Sequence, residues 1–382
     1  MRTGSMRVAE ISTYAIRHNV ARMRDLTGGN VIVVAKAGGY GHGALIAAEA
    51  AMAGGAVMIG VADLEEALAL REQGFTDPLL CWLHGPRTDF FAGVDAGIEL
   101  GVNSLCQLEA IAQAAHDTGK LATVHLKVDT GLSRNGVQEQ EWPEVFARAA
   151  ELEAAGTVRV RGIFSHLANA GDENDRGQAA CFDRAIALLA EHGVETDMQH
   201  LAASAAAFSS PHLRYNTVRV GVAAYGLSPF ADKTSAQLGL VPAMTLRSEI
   251  VALRGVPAGT GVSYGYNHVC ETATTLALVP MGYADGMPRA LNGAGAWVTV
   301  AGEPRPIVGR IGMDQFIVDV GPLAGRLSLG DPVVLFGDPE RGHPPVEIWS
   351  GLMRTINYEI IAGIGPRVVR VAVDVDTAGG EA

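Results

Sequence analysis

A chain of 382 residues is longer than one ordinary hydrophobic core requires, so the length predicts two domains. Its 48% hydrophobic and 18% charged residues indicate a soluble globular enzyme and exclude a disordered or fibrous chain. The formal net charge of -12 would repel a polyphosphate backbone, which argues against nucleic acid as a partner.

Neither the cysteines nor the apolar stretches indicate a metal site, a disulfide framework or a membrane. The four cysteines are far apart and lack CxxC spacing, so we expect reduced thiols and no metal site. The first twenty residues contain no long apolar run, and the alanine-rich stretch 45–57 is interrupted by Glu49 and two glycines. We therefore expect a cytoplasmic protein without a membrane partner.

From residue 30 to about 227, short runs rich in β-branched residues alternate with helical stretches rich in Ala, Glu and Leu. The predicted strands are residues 31–35, 56–61, 79–82, 97–101, 122–128, 158–164, 198–201 and 217–220. Eight strands, each followed by a helix-compatible stretch, predict an N-terminal (β/α)8 barrel of the TIM type, an α/β fold. The alternative is a doubly wound open sheet, but no GxGxxG motif opens the first helix.

After about residue 240 the pattern changes to short strands separated by Gly/Pro turns. The predicted strands are residues 244–253, 274–281, 297–300, 307–311, 316–320, 333–336 and 368–373, with one helix near 348–356. This pattern predicts a C-terminal all-β domain. The expected domains are therefore residues 1–240 and 241–382.

Lysine is rare in this chain, which makes two of its positions informative. Only four of the 29 basic side chains are lysines, and Lys36 and Lys127 lie in apolar, strand-like runs. Burying an unpaired ammonium is costly, so each of these residues needs a chemical reason. Lys36 follows the first barrel strand, at the barrel face where such folds build active sites. Apolar surroundings would favour the neutral amine that forms a Schiff base, although by position alone Lys36 could equally reach solvent.

The segment around Lys36, Lys-Ala-x-x-Tyr-Gly-His-Gly, resembles the cofactor-lysine motif of alanine racemases. Similar motifs recur in family order over residues 8–373. The resemblance implies a barrel followed by a β domain, with pyridoxal phosphate as the cofactor and an amino acid as the substrate. It also implies that Lys36 holds the cofactor as an imine and moves one Cα proton, while Tyr40 hydrogen-bonds the phosphate. The chain departs from the family at Gly38 and Gly39, where Asn or Asp and then Ala are usual.

Further residues of the barrel match the family's site. The segment that begins at Lys127 resembles Lys-x-Asp-Thr-Gly-x-x-Arg, and it implies that Arg134 meets the substrate carboxylate or the cofactor's phenolic oxygen. His166 is expected to tune the arginine and tyrosine network and not to transfer protons itself. Lys127 is expected to carry a carbamate that holds Arg134, or alternatively to pair with Asp129 or another carboxylate.

The last two barrel strands match the family's phosphate and ring contacts. Ser204 and the backbone near Gly221 and Val222 correspond to phosphate-binding positions, although this chain has Ala203 where the family usually has Asn. Arg219 is expected to face the pyridine nitrogen. An arginine cannot lend that nitrogen a proton, so the ring is a weaker electron sink and racemisation is favoured over transamination.

The β domain is expected to supply the second half of the site. Racemisation needs one base on each face of a planar intermediate, and Tyr264 matches the family's second base, which comes from the partner subunit. By resemblance, Tyr283 lies at the entrance and Tyr358 meets the phosphate. The Met313 backbone is expected to approach the substrate carboxylate, with Asp314 beside the gate. The expected assembly is a head-to-tail homodimer with shared sites.

The expected activity is the interconversion of L- and D-alanine, which supplies D-alanine for cell-wall peptidoglycan. A racemase acting on serine or other residues is an alternative. An ornithine- or diaminopimelate-type decarboxylase shares the architecture but usually needs a Cys-Asp pair, and here Cys270 precedes Glu271. Single-domain pyridoxal phosphate carriers lack a β domain and hence any counterpart of Tyr264.

Overall fold

The computed structural model describes residues 4–373. Its strands are β1 (Arg7–Ser12), β2 (Asn30–Val34), β3 (Met58–Val61), β4 (Leu79–Cys81), β5 (Glu99–Val102), β6 (Ala122–Lys127), β7 (Val158–Phe164), β8 (Met198–His200), β9 (Thr217–Val220), β10 (Met244–Glu249), β11 (Ala252–Val256), β12 (Gly261–Val262), β13 (His268–Val269), β14 (Thr274–Val279), β15 (Trp297–Val300), β16 (Glu303–Val308), β17 (Phe316–Asp319), β18 (Pro332–Phe336) and β19 (Val369–Val373). Its helices are α1 (Thr13–Thr27), α2 (Lys36–Tyr40), α3 (Ala44–Ala53), α4 (Leu64–Glu72), α5 (Phe90–Asp95), α6 (Leu105–Thr118), α7 (Trp142–Ala154), α8 (Asp172–Glu191), α9 (Ser204–Ser209), α10 (Glu347–Met353) and α11 (Asn357–Ala362).

Strands β2 to β9 close into a parallel barrel, with β9 paired to β2. The predicted barrel is confirmed, and each predicted strand begins and ends within two residues of the observed one. Every residue of β3 and β9 is buried, as expected for strands with helices on one side and barrel interior on the other. The barrel therefore presents the carboxyl ends of eight parallel strands at one face, and Lys36 lies two residues after the end of β2 at that face.

The second unit is a nine-stranded sheet in the order β11-β14-β17-β16-β15-β18-β10-β1-β19, which confirms the predicted β domain. It includes β1, which pairs antiparallel with β10 and parallel with β19. Residues 7–12, which the expected boundary counts with the barrel, thus lie in this sheet. The expected domain limits stay a prediction, and their outermost parts, residues 1–3 and 374–382, lie outside the described residues.

Three predicted elements of the β domain differ in detail. The predicted strand 244–253 is two strands, β10 and β11, which pair with different neighbours in the sheet. Strand β16 begins at Glu303, earlier than predicted. It contains Pro304 and Pro306, and proline usually marks turns or edge strands, so the sequence pattern did not indicate a strand there. The predicted helix 348–356 corresponds to α10, which ends at Met353 because Arg354 adopts a left-handed φ of 54°, and a separate helix, α11, begins at Asn357.

One large hydrophobic cluster connects the helices around the barrel with the β sheet. Residues from both units belong to it, among them Ile16 of α1, Val31 of β2 and Leu246 of β10. Within residues 4–373, no helix combines the length and the apolar character that a membrane span requires.

Candidate active site

A cavity of about 530 Å³ opens at the carboxyl ends of the barrel strands. Most of the predicted site residues lie together in its wall. They are Lys36, Tyr40, Lys127, Arg134, His166, Ser204, Arg219, Gly221, Val222 and Tyr358. Tyr358 comes from α11, beyond the barrel, so the second unit closes one side of the cavity.

Lys36 begins a left-handed helical turn at the end of β2. Residues 37–40 all have φ between 52° and 67°, and Gly39 N donates to Ala35 O over 2.8 Å. Side chains with a Cβ are strained in this region, whereas glycine enters it without penalty. The two glycines that depart from the family motif, Gly38 and Gly39, therefore suit the backbone of this turn.

The side chain of Lys36 is exposed to the cavity, yet its amine is disfavoured as a cation. Desolvation by the cavity wall, followed by the charge of Arg134, lowers the pKa of Lys36 below its ordinary value. Glu66 offsets part of this effect, but its two oxygens already accept hydrogen bonds from Ala37 N at 2.6 Å and Ala62 N at 2.8 Å. A larger neutral fraction makes Lys36 a better nucleophile and proton acceptor.

One end of the cavity gathers hydroxyl groups that keep their protons. The ring of Tyr40 stacks on Tyr225 with centroids 5.0 Å apart, and Tyr358 lies 6.1 Å away. Burial raises the pKa of Tyr40 well above its usual range and that of Tyr358 to about 12. Ser204 Oγ accepts from Gly221 N over 3.1 Å, and a Cβ on Gly221 would lie 2.5 Å from the Tyr40 hydroxyl. This end can therefore donate several hydrogen bonds to an anion.

Arg219 is buried, and its guanidinium is held by acceptors from two neighbouring strands. Its Nη1 donates to His200 Nδ1 at 3.0 Å and to the His200 carbonyl at 2.6 Å. Its Nη2 donates to the carbonyls of Ser165 and Leu201 and to His166 Nδ1, at 2.6, 3.1 and 3.1 Å. The Nε–H donates to no atom of residues 4–373, so it is the guanidinium hydrogen left for a ligand.

Positive charge accumulates around the cavity. Burial, followed by the charges of Arg219 and Arg134, lowers the pKa of Lys127 to about 8. Burial and the charge of Arg134 lower the pKa of Arg219 to about 9, and burial with the charge of Arg219 lowers that of His166 to about 3. His166 is therefore neutral, and the remaining cations favour an anionic ligand.

The expected pairing partner of Lys127 is engaged elsewhere. Asp129 Oδ1 accepts hydrogen bonds from the backbone N–H groups of Gly131 and Ser133, at 3.0 and 3.1 Å, which shape the loop that leads to Arg134. Among the described residues, no carboxylate forms an ion pair with Lys127. Lys127 is 7% exposed, so its amine lacks the compensation that a buried charge needs.

Four predicted site residues form a second group that does not line the cavity: Tyr264, Tyr283, Met313 and Asp314. The loops that carry Tyr283 and Met313 are joined by backbone hydrogen bonds, from Tyr283 N to Gly312 O at 3.1 Å and from Ala284 N to Met313 O at 3.0 Å. Ser263 Oγ, beside Tyr264, donates to Arg310 O over 2.7 Å. Tyr264 is 71% exposed, which is unusual for a large aromatic side chain. A single chain therefore keeps Tyr264 out of its own Lys36 cavity.

Several residues of the site were not predicted from the sequence. Trp82, Phe164 and Asn169 also line the cavity. Phe164 stacks on the buried His200 ring, with centroids 4.7 Å apart and planes at 3°. The sequence contains one signal for the buried polar residues behind the cavity, which is the presence of polar residues inside predicted strands. His125 in β6 is an example, because its side chain must point either to the helices or into the barrel.

Comparison with known proteins gives one consistent family. Residues 11–229 match the family model of the alanine racemase N-terminal domain, and residues 243–372 match that of the C-terminal domain. The chain is 46% identical over 362 residues to an alanine racemase of Mycolicibacterium smegmatis, covering 93% of this chain and 92% of the relative. It is 40% identical to that of Mycobacterium leprae, covering 99% and 97% of the two chains.

Solved structures agree with this assignment. Alanine racemase from D-cycloserine-producing Streptomyces lavendulae superposes with a TM-score of 0.92 at 42% identity, over 98% of both chains. Alanine racemase from E. faecalis superposes with a TM-score of 0.86 at 31% identity, over 98% of this chain and 100% of the other. Two family models together cover most of the sequence, in the order in which the barrel and the β sheet occur. The chain belongs to the alanine racemase family.

Proposed function

We propose that this protein is a pyridoxal-phosphate-dependent racemase that interconverts L- and D-alanine, with Lys36 of one subunit and Tyr264 of its partner as the two bases. The observation that supports this most is the cavity itself. A lysine with a lowered pKa faces a cluster of neutral hydroxyls and a buried arginine with one free donor. The reaction would take place in the cytoplasm and would supply D-alanine for cell-wall peptidoglycan.

The residues of the cavity fit pyridoxal phosphate. Tyr40, Ser204 and Tyr358 would hold its phosphate, because they offer neutral hydroxyl donors at one end of a positively charged cavity. The backbone of Gly221 and Val222 would line the same end, with Gly221 N donating to Ser204 Oγ. A Cβ on Gly221 would lie 2.5 Å from the Tyr40 hydroxyl, so glycine at this position leaves room for that donor. When bound, the cofactor spreads the electron pair left by Cα deprotonation into its ring.

Arg219 would act on the ring nitrogen without giving it a proton. Its four Nη hydrogens are directed at acceptors of the protein, which leaves Nε–H as the donor toward a ligand. Even with its pKa lowered to about 9, the guanidinium stays charged at neutral pH. A donor that stays protonated keeps a neighbouring ring nitrogen neutral, which favours return of the proton to Cα over transamination.

The two bases would act from opposite faces. Lys36 holds or accepts a proton at its Nζ, helped by the lowered pKa of the amine. Tyr264 is exposed and lies outside the cavity of its own chain, so it would serve the cavity of a partner subunit. That arrangement requires a head-to-tail homodimer, in which Tyr283 and Asp314 flank the entrance.

Substrate selection would rest on charge and space. Arg134 lines the cavity and can hold the amino-acid carboxylate with its planar fork of donors, joined by the Met313 backbone of the partner subunit. The site gives no positive reason for a decarboxylase or a cofactor carrier. Serine differs from alanine by one hydroxyl, and a pocket only weakly rejects an analogue that merely adds a hydroxyl. Serine is therefore the alternative substrate to test.

The proposal is tested by incubating the purified protein, supplemented with pyridoxal phosphate, with L-alanine, L-serine or L-lysine in separate reactions, followed by chiral analysis of each product. We expect D-alanine as the main product and a visible absorption band that borohydride removes. Lys36→Ala should lose both the band and the activity. The matched control is Lys233→Ala, which changes a lysine outside the cavity and should leave both unchanged. No racemisation of any amino acid, or an unchanged band in Lys36→Ala, would refute the proposal.

A further inference from the structure

A row of buried polar side chains runs from the cavity through the interior of the barrel. Arg219 Nη1 and His200 Nδ1 are 3.0 Å apart, and His200 Nε2 and His125 Nδ1 are also 3.0 Å apart. His125 Nε2 lies 2.8 Å from Glu99 Oε2, and the other Glu99 oxygen accepts from Arg161. Both imidazoles are fully buried, and Glu99 is 7% exposed. The five side chains come from five neighbouring strands, β5 to β9.

Arg219 at one end of the row and the Glu99 carboxylate at the other leave one arrangement of the ring protons. An arginine only donates, so His200 Nδ1 must accept from Arg219 and its proton must be on Nε2. That proton is donated to His125 Nδ1, which places the His125 proton on Nε2, directed at Glu99. Glu99 then accepts from both sides, which a carboxylate can do and a neutral amide cannot.

Neither ring can take a second proton without breaking the row. A proton on His125 Nδ1 would face the N–H of His200, and a proton on His200 Nδ1 would face the donor of Arg219. Burial, followed by the charge of Arg219, holds the pKa of His200 well below its ordinary value, which agrees with this geometry. Both imidazoles are therefore neutral.

The surrounding structure is shaped to hold these rings. A Cβ on Gly162 would lie 2.3 Å from His125 Nδ1, so only glycine leaves room for the ring. The register between β6 and β7 shifts between Val124 and His125, at the position opposite Gly162. Phe164 stacks flat on His200, which fixes the plane of that ring. These features orient both histidines toward each other.

We propose that Glu99 and His125 are positioning residues for Arg219. The Glu99 carboxylate sets the proton of His125 and thereby the tautomer of His200, so that His200 presents a lone pair to the Arg219 guanidinium. Without that lone pair, Arg219 loses an acceptor on one side and its Nε–H is no longer aimed into the cavity. The inference deepens the proposed function, on which its catalytic arm rests, whereas its tautomer arm does not depend on activity.

The first test measures the tautomers of His125 and His200 in the wild-type protein. The full-length protein is labelled with 15N-histidine, and the side-chain nitrogens of His125 and His200 are observed by NMR with and without cofactor, using single-histidine variants only for assignment. We expect the neutral Nε2–H tautomer for both rings at pH 7. An Nδ1–H tautomer or a doubly protonated ring at either position would overturn the proposal.

The second test is Glu99→Gln, with Glu109→Gln as the matched control. Glu109 also pairs with an arginine, Arg148, but on the surface. In Glu99→Gln, Arg161 retains the amide oxygen and the amide NH2 faces His125, so both rings should change to Nδ1–H and Arg219 should lose its bond to His200. We expect kcat to fall about 10- to 100-fold with little change in KM. The control should keep the wild-type tautomers and kcat.

The outcomes separate a positioning role from a structural one. Changed tautomers together with a lower kcat in a folded Glu99→Gln protein would support the proposal. A lower kcat with unchanged tautomers, or changed tautomers with full kcat, would overturn it. If Glu99→Gln does not fold, the measurement of the wild-type tautomers still tests the proposal. A wild-type protein without racemase activity would refute the proposed function while leaving the tautomer measurement valid.

Discussion

The Nζ of Lys127 lies 5.8 Å from the centre of the Phe164 ring, on a side chain that is almost fully buried. A ring face is weak compensation for an ammonium that has lost water and has Arg134 and Arg219 as neighbours. The pKa of about 8 leaves roughly half of the amine neutral at pH 8. A neutral amine at this position can take up carbon dioxide.

We therefore predict that Lys127 is carbamylated and that the carbamate accepts a forked pair of hydrogen bonds from Arg134. With 13C-bicarbonate, a carbamate resonance should be present in the wild-type protein and absent in Lys127→Arg. Because only the neutral amine reacts, occupancy should rise between pH 7 and pH 9. A high-resolution map should show three extra atoms on Nζ, and a bare amine beside a carboxylate would contradict the prediction.

The proposed site, shared between two subunits, predicts complementation between two inactive variants. Lys36→Ala and Tyr264→Phe should each be inactive, because each removes one base from every site. In a mixed dimer, one site carries both changes and the other carries neither. Random exchange should therefore restore about a quarter of wild-type activity. No recovery after mass spectrometry has shown mixed dimers would mean that Tyr264 does not serve the partner's cavity.

Arg219 should control which product forms. In the proposed site, Arg219→Glu would put an acidic group beside the cofactor's ring nitrogen, which would then be protonated and would make the ring a stronger electron sink. We expect racemisation to fall on the order of 100-fold and the ratio of pyruvate to D-alanine to rise. Arg219→Lys keeps a cation and is the matched variant, in which that ratio should stay low. An unchanged ratio in a folded Arg219→Glu protein would refute this role.

The left-handed turn after Lys36 should make Gly38 sensitive to substitution. A Cβ on Gly38 meets no atom within 4 Å, so Gly38→Ala tests the backbone alone, at φ +62°. We expect a loss of about 1–2 kcal/mol in the free energy of unfolding in denaturant. Gly38→Asn should lose less, because asparagine tolerates this region better. Gly85→Ala, also with free space but without a positive φ, should change stability by less than about 0.5 kcal/mol.

The barrel and the identity of most cavity residues could be predicted from the sequence, because strand periodicity and motifs are local. Lys36, Lys127 and Arg219 each lie in or directly after a predicted strand, and parallel strands bring their carboxyl ends to one face of the barrel. The location of these residues in one cavity follows from strand order alone. The prolines of β16 and the kink at Arg354 hid element boundaries, since local signals for turns compete with tertiary pairing.

Only the tertiary structure decided the contacts between distant segments. Val8 of β1 pairs with Arg247 and Val369, residues that no local pattern connects to the amino-terminal end of the chain. Similarly, Glu99 and His125 read as isolated polar residues in apolar strands until barrel closure places them in one row behind Arg219. Periodicity determines which residues face inward, whereas register and ring closure determine which inward residues meet. Those depend on packing the whole chain at once.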